Sequence, residues 1–224
     1  MPYRLYRGLL ALVFSTLWRP VIEGVENIPA EGPVIFAANH LSFIDSVVIP
    51  LSVSGRRVTF LAKAEYFTGH GPVGLLRRTV FRVLGAIPVQ RDGQRAAQAS
   101  LDTALEVLQR GTAFGIYPEG TRSRDGRLYR GRTGVAWLAL QSGAPVVPVG
   151  LIGTDKVQPI GSRFPRLHRV TVRFGTPIRP QDFADAGSPA LARRRLTDAV
   201  MDAIAELSGQ QRAPEYNQRP GLVG

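Results

Sequence analysis

The chain of 224 residues contains no cysteine. This absence excludes a thiol nucleophile, a disulfide framework and thiolate metal ligands, and it suits a reducing compartment. Only three histidines are present, at positions 40, 70 and 168, and their wide spacing predicts no histidine-based metal site. No Gly-x-Ser-x-Gly segment occurs either, which argues against a serine nucleophile on a strand-to-helix elbow.

Acidic residues are scarce relative to basic ones. The 17 Asp and Glu residues stand against 28 Lys and Arg residues, which gives a net charge of +11. A surplus of this size indicates an anionic partner, such as a phospholipid surface, a phosphorylated substrate or a nucleic acid. Apolar residues make up 44% of the chain and charged residues 20%, so the composition and length suit one α/β domain with a sizeable core.

The N-terminal apolar run is about half of the roughly 20 residues that a bilayer span needs. Arg4 and Arg7 precede this run, residues 8–18, and Arg19 follows it. We predict that residues 1–19 form a helix that lies in or on the cytoplasmic face of the cell membrane, in peripheral or monotopic contact with anionic lipid. A signal peptide and a helix that only packs on the domain are the alternatives, but no small-x-small cleavage site follows the run.

One histidine lies in a segment whose pattern predicts a strand, a turn and a helix in succession. Residues 33–37 form a continuous apolar run, typical of a buried strand, and Ser42 is a suitable N-cap for a helix with apolar residues at helical spacing. His40 should therefore lie at the end of a strand, in the crevice where α/β sheets bind ligands. Asp45 follows in the first helical turn, where the helix dipole favours a carboxylate.

His40 and Asp45 converge only if the chain bends between them. In a continuous helix, side chains five residues apart point about 140° away from each other, whereas a strand-to-helix turn allows them to meet. An ionised Asp45 can then hold one imidazole nitrogen and leave the other as a base. An ordinary histidine near a helix cap is the alternative interpretation of this stretch.

A second polar segment follows another predicted strand, residues 112–116. Its sequence is Tyr117-Pro118-Glu119-Gly120-Thr121-Arg122-Ser123. Glycine lets backbone amides approach a ligand, threonine offers a hydroxyl, and arginine offers a planar fork that can contact two phosphate oxygens. Two further apolar blocks, residues 84–91 and 144–150, complete a set of four.

Taken in order, the four blocks resemble the lysophosphatidic acid acyltransferase family, the glycerolipid acyltransferases with an Asn-His-x4-Asp motif. The resemblance covers residues 20–180. It implies an α/β domain whose central sheet is mostly parallel or mixed and is flanked by helices. It also implies transfer of an acyl group, from acyl-CoA or acyl carrier protein as co-substrate, to the free hydroxyl of lysophosphatidic acid, with no bound cofactor.

The resemblance also assigns roles to residues. His40 becomes the catalytic base, oriented by Asp45, and Asn39 supports the motif. The residues implied for the glycerol phosphate are Lys63, Arg91, Glu119, Gly120, Thr121 and Arg122. Lys63 matches by approximate position only, and Glu119 is expected either to orient Arg122 or to bond a substrate hydroxyl. The block at residues 145–152 is expected to shape the core and the acyl pocket.

We predict three parts in the chain: an N-terminal interfacial helix over residues 1–19, an acyltransferase domain over residues 20–208, and a flexible tail over residues 209–224. The Gly-x-Gly-x-x-Gly match at residues 69–74 is rejected as a dinucleotide site, since no strand leads into it and Pro72 has no amide N–H.

Two alternative functions stay open. One is an acyltransferase of the same fold that uses another acceptor, such as glycerol 3-phosphate, another lysophospholipid or a glycolipid. The other is a basic protein without catalysis that binds a membrane or a nucleic acid. No nucleic-acid motif is evident and aromatic residues are not interleaved with the basic runs, so we expect no nucleic-acid partner.

Overall fold

Short strands and helices alternate along most of the chain. The computed structural model describes residues 2–68, 71–89, 94–162 and 164–218. The strands are β1 (Val21–Glu23), β2 (Val34–Ala38), β3 (Val58–Lys63), β4 (Ile87–Val89), β5 (Ala113–Ile116), β6 (Val146–Ile152) and β7 (Thr171–Phe174). The helices are α1 (Pro2–Trp18), α2 (Asp45–Ser52), α3 (Gly71–Val83), α4 (Gln94–Gln109), α5 (Gly134–Ser142), α6 (Thr154–Val157) and α7 (Pro189–Ser208).

The strands form one mixed sheet in the order β1-β7-β6-β2-β5-β3-β4. β6, β2, β5, β3 and β4 run parallel, β7 is antiparallel to β6, and β1 is parallel to β7. Parallel neighbours need crossover connections, which the intervening helices supply. The predicted α/β fold with a mixed sheet flanked by helices is confirmed.

The central strand β2 is buried along its whole length, which explains its continuous apolar run. Successive side chains of a strand point to opposite faces of the sheet. Accordingly, Phe36 packs in the layer that contains α1 and α2, where its ring meets Phe174 edge to face with the centroids 5.8 Å apart. Ile35 packs in the other layer, against α4, α5 and α7. The sheet therefore has an apolar core on each face.

Helix α1 packs along α2 by one side only. Phe14 is buried, and the guanidinium of Arg7 donates to the carbonyl oxygens of Pro50 (3.2 Å) and Val53 near the end of α2. The opposite side of α1 exposes a set of large apolar residues to solvent: Leu5, Tyr6, Leu9, Leu12, Val13 and Leu17. Within the described residues, every helix is too short or too polar to cross a bilayer. Contact of α1 with a membrane stays a prediction.

Part of the segment predicted as a flexible tail, residues 209–224, makes hydrogen bonds with the rest of the chain. Residues 210–218, which we call the C-terminal strap, pair with the loop at residues 126–132. Leu128 N donates to Gln211 O (2.9 Å), Ala213 N donates to Leu128 O (2.8 Å), and Arg130 N donates to Glu215 O (3.0 Å). The strap is extended and pairs with a loop rather than with a strand, so it has no hydrophobic period for sequence reasoning to detect. Residues 219–224 lie outside the described ranges.

Candidate active site

The carboxyl ends of β2 and β5 lie side by side at one edge of the sheet, and most of the predicted site residues follow them. β2 leads into Asn39 and His40, and β5 leads through Tyr117 and Pro118 into residues 119–132, which we call the 119–132 loop. Neighbouring parallel strands end at the same edge, so His40 and Glu119 meet although they are 79 residues apart in sequence.

The histidine and the aspartate of the first block are in direct contact. His40 Nδ1 lies 2.8 Å from Asp45 Oδ2, and the imidazole is 13% exposed whereas the carboxylate is fully buried. The same Oδ2 accepts the backbone N–H groups of Leu41 and Ser42, both at 2.8 Å. These bonds bend the chain back on itself, as the spacing predicted. With Nδ1 committed to Asp45, Nε2 is the nitrogen suited to exchange a proton with a substrate.

Ser42 does not cap helix α2, contrary to the sequence prediction. The helix begins at Asp45 with Ile44 at the N-cap position and no side-chain cap bond. The carboxylate of Asp45 folds the preceding turn instead, and the Ser42 hydroxyl donates to Gln158 O at 2.7 Å. Ser42 thus joins the His40 turn to the segment that follows α6.

Tyr117 fixes the plane of the imidazole. Its ring stacks on that of His40, with the centroids 3.8 Å apart and the planes 9° from parallel. The Tyr117 hydroxyl lies 2.9 Å from Ser46 Oγ in the first turn of α2. Sequence reasoning gave Tyr117 no role, although its place directly after β5, next to the Glu119 block, was a signal that could have indicated one.

Asn39 joins β2 to β6 beneath the histidine. Its buried amide donates to Leu151 O (2.9 Å) and accepts from Leu151 N (2.7 Å). Both backbone polar groups of Leu151, near the end of β6, are therefore hydrogen-bonded. The same amide also donates to Gln210 Oε1 in the C-terminal strap at 2.7 Å. The supporting role of Asn39 in catalysis stays a prediction, and these contacts are the structural basis for it.

Glu119 is buried between the 119–132 loop and the His40 turn. Its side chain is 1% exposed, Oε1 accepts the backbone N–H of His40 and Oε2 accepts that of Tyr129, both at 3.0 Å. It therefore ties the 119–132 loop to the His40 turn, and these bonds do not reach Arg122. A bond from Glu119 to a substrate hydroxyl stays a prediction. The pKa of Glu119 is raised to about 7: burial raises it most, the two N–H bonds lower it, and the charges of Asp45 and Asp125 raise it.

The next residues of the loop begin at the polar end of a cavity. Gly120 has φ +78 and lines the cavity, and Thr121 and Arg122 are half-buried. The carbonyl oxygen of Arg122 accepts from Asn217 Nδ2 of the strap at 3.2 Å. The strap thus holds the backbone of the residue predicted to bind phosphate.

Arg132 is a cation that lines the cavity, and sequence reasoning did not single it out. Its backbone N–H donates to Pro118 O at 2.8 Å, its guanidinium lies 5.5 Å from the centre of the Tyr216 ring, and it donates to Asn217 O at 3.4 Å. It is one of several arginines in a basic loop, and composition alone could not distinguish it from the others.

Two predicted phosphate ligands are not tested by the structure. Arg91 lies outside the described residues, and so does the side chain of Lys63. The backbone of Lys63 ends β3 and pairs with Val89 at the end of β4, at the same edge of the sheet as His40. Among the described residues, no group of His, Asp and Glu is arranged to hold a metal ion.

A cavity of about 340 Å³ opens beside His40 and runs between the sheet and helices α4 and α5. Its apolar wall includes Phe60, Leu61, Leu101, Phe114, Val135 and Leu138. Its polar end carries His40, Gly120 and Arg132. An apolar channel with a base and a cation at one end suits a ligand that has a long apolar chain and an anionic head.

This chain is similar to known proteins in both sequence and fold. The family model described as acyltransferase matches residues 19–152, a range that contains His40, Asp45 and Arg122. The chloroplastic 1-acyl-sn-glycerol-3-phosphate acyltransferase LPAT1 of Arabidopsis thaliana is 34% identical over 142 residues, which are 63% of this chain and 38% of the plant protein. The chain thus spans less than half of the length of this chloroplast relative.

Two bacterial proteins are similar over a larger share of their length. The 1-acyl-sn-glycerol-3-phosphate acyltransferase of Bacillus subtilis is 25% identical over 209 residues, which are 93% of this chain and 98% of that protein. The crystal structure of the 1-acyl-sn-glycerophosphate (LPA) acyltransferase PlsC from Thermotoga maritima matches with a TM-score of 0.67 and 27% identity, over 90% of this chain and 80% of that one.

Proposed function

Because this chain belongs to the acyltransferase family, we propose that it acylates lysophosphatidic acid. A fatty acyl group moves from a thioester, carried by coenzyme A or acyl carrier protein, to the free hydroxyl of 1-acyl-glycerol 3-phosphate, and phosphatidic acid forms. The observation that carries this proposal is the imidazole of His40, held by Asp45 at the polar end of an apolar cavity. The names of the relatives support the same acceptor.

The reaction needs one base and no covalent intermediate. His40 Nε2 removes the proton of the acceptor hydroxyl, and the oxygen attacks the carbonyl carbon of the thioester. The new C–O bond forms as the C–S bond breaks, and the imidazolium returns its proton to the leaving thiolate. Asp45 keeps the imidazole in one tautomer and stabilises its charge during the transfer.

The phosphate of the acceptor is proposed to lie at the 119–132 loop. Arg122 and Arg132 supply positive charge there, and Gly120 gives a close approach to the backbone. We keep Thr121, Lys63 and Arg91 as further candidate contacts at the same edge of the sheet. Binding of this kind fixes the hydroxyl near the thioester carbon, which lowers the entropic part of the barrier. The cavity beside His40 is proposed to hold an acyl chain.

We further propose that α1 lies on the cytoplasmic face of the membrane from which the acceptor comes. Leu5, Leu9 and Leu12 project from its outer side at helical spacing. A helix with such a side binds in the headgroup region without crossing the bilayer.

The test is the formation of phosphatidic acid from palmitoyl-coenzyme A and lysophosphatidic acid by the wild type and by His40→Ala. We expect the variant to lose about 10²- to 10⁴-fold in turnover while its thermal unfolding stays cooperative. Replacing coenzyme A by acyl carrier protein identifies the donor, and replacing the acceptor by glycerol 3-phosphate identifies the alternative substrate. Folded wild-type protein that is inactive with every pair would contradict the proposal, and equal activity of His40→Ala would contradict the role of the base.

A further inference from the structure

The segment that connects α6 to β7 exposes large apolar side chains. We call this segment, residues 158–169, the 158–169 loop; the structure describes all of it except position 163. Phe164 and Leu167 are each 73% exposed. Ile160 is exposed to a smaller extent. A single exposed apolar residue is ordinary on a protein surface. Here three such residues lie on one loop, and the residues around them indicate whether they form a binding surface.

The loop is held in place at both ends although its apolar side chains face outward. Gln158 O accepts from the Ser42 hydroxyl at 2.7 Å, and Arg166 N donates to Val157 O at 2.6 Å. Arg166 O accepts from the indole N–H of Trp18 at 2.9 Å. The backbone is thus fixed to the His40 turn on one side and to the end of α1 on the other, and this fixed backbone presents Phe164 and Leu167 to solvent.

The loop continues the exposed apolar side of α1. Leu17, Trp18 and Arg19 at the end of the helix face Leu167 and Arg169 across a shallow groove of about 380 Å³. Together with the outer leucines of α1, the loop makes one surface that begins on the helix and ends beside the active-site turn.

Basic side chains surround this apolar surface. Arg19, Arg166 and Arg169 are exposed, and none of them forms an ion pair with another residue of the described ranges. Apolar tips flanked by cations that have no acidic partner are complementary to a bilayer with anionic headgroups, where the tips enter the acyl boundary and the arginines remain at the phosphates.

We propose that the 158–169 loop is a second membrane anchor, which inserts Phe164 and Leu167 into an anionic bilayer beside α1. This inference rests on the proposed function, since an acceptor with a fatty acyl chain is delivered by such a surface. The Ser42 to Gln158 bond places the His40 turn next to the anchor, so a lysolipid that leaves the bilayer there has a short path to the base.

The experiment measures binding of the full chain to sedimented vesicles of phosphatidylcholine with 30% phosphatidylglycerol, about the anionic content that gives a strongly negative surface. The variant Phe164→Ser/Leu167→Ser should lose about tenfold or more in vesicle affinity, because the apolar area that it removes no longer enters the bilayer. The control Val25→Ser/Leu191→Ser removes side chains that are 51% and 41% exposed and should keep wild-type affinity.

The control positions lie away from the proposed surface. Val25 follows β1 at the opposite edge of the sheet from Arg19. Leu191 lies in the first turn of α7, and the last turn of this helix, at Leu207, lies against Gly150 near the site edge. About 25 Å of helix separates Leu191 from Leu207. Equal affinity of both double variants and the wild type would overturn the proposal.

A second arm separates this proposal from the proposed function. A short-chain lysophosphatidic acid that is monomeric in water needs no membrane surface, so the loop variant should acylate it at the wild-type rate. Wild-type protein inactive on this acceptor would contradict the proposed function and leave the vesicle result standing. A loop variant that binds vesicles normally but fails only with acyl carrier protein as donor would overturn the membrane anchor and identify a docking site for that acidic protein.

Discussion

The His40 turn and the 119–132 loop meet at one edge of the sheet, but the chain holds them in different ways. The turn is fixed from within, since the imidazole of His40 and the amides of Leu41 and Ser42 all bond one oxygen of Asp45. The loop has local bonds through Asp125, but two of its polar contacts reach Asn217, which is 85 to 95 residues away in sequence.

This difference separates catalysis from binding. The bonds to Asp45 hold the imidazole itself, so a change that removes them should reduce turnover. A loop that depends on the C-terminal strap should lose its shape when the strap changes, so damage there should weaken substrate binding first. The ratio of the effects on kcat and on KM distinguishes the two.

The largest effect is expected for Asp45→Asn, which changes the side chain that holds the His40 turn. An amide in place of the carboxylate stabilises the wrong tautomer of His40 and leaves the imidazolium without a counter-charge, so kcat should fall by about 10³- to 10⁴-fold with little change in KM. Steady-state kinetics with lysophosphatidic acid measures this. Asp155→Asn, an exposed aspartate in the first turn of α6, is the matched control and should behave as the wild type. An Asp45→Asn variant that changed KM alone would contradict the role of Asp45 in orienting the catalytic base.

The second prediction concerns Glu119, the side chain that joins the two regions. Its pKa of about 7 is above the ordinary value of 4.5, so the folded protein binds this proton more tightly than the unfolded chain does. The contribution of Glu119 to stability is complete below about pH 4.5 and is lost as the pH rises through 7.

Relative to Glu119→Gln, the wild type should therefore lose on the order of 3 kcal/mol of unfolding free energy between pH 4.5 and pH 8. Urea denaturation of both proteins across this range gives the difference. Glu106→Gln, which changes an exposed carboxylate on α4, should follow the wild type at every pH. A difference between wild type and Glu119→Gln that stayed constant or increased with pH would show that the burial of Glu119 does not control its protonation.

A smaller effect is expected for Asn217→Ala, which removes the side-chain contact between the C-terminal strap and the 119–132 loop. Loss of the bond to the Arg122 carbonyl costs about 1 kcal/mol, and we expect KM for the acceptor to rise several-fold while kcat changes less. Gln218→Ala, at the exposed neighbouring position, is the control. If Asn217→Ala lowered kcat without changing KM, the separation of binding from catalysis between the two regions would be wrong.

The smallest effect is expected for Tyr117→Phe. The ring still stacks on His40 while the hydroxyl bond to Ser46 is removed, so turnover should fall by no more than about threefold. Tyr117→Leu, which also removes the aromatic stacking, should lose more. Equal losses in these two variants would show that the hydroxyl, rather than the stacked ring, fixes the imidazole.

The features that could be predicted from the sequence are those that depend on residues close together in the chain. The apolar run of β2 and the bend between His40 and Asp45 depend on neighbours within a few residues, and both are present as expected. The role of Glu119 was not predictable, because its partners are backbone amides that only the fold brings near. Arg132 and the C-terminal strap were missed for a related reason: a basic loop and an extended segment carry no periodic signal, and their contacts are made with distant parts of the chain.

The most direct test of the account is thiol release from palmitoyl-coenzyme A after rapid mixing, recorded with and without lysophosphatidic acid. If His40 acts as a base for direct transfer, the wild type should release thiol only when the acceptor is present, without a stoichiometric burst, and His40→Ala should release almost none. A burst of thiol without acceptor, together with a protein mass increased by one acyl group, would contradict direct transfer and require a covalent acyl-enzyme.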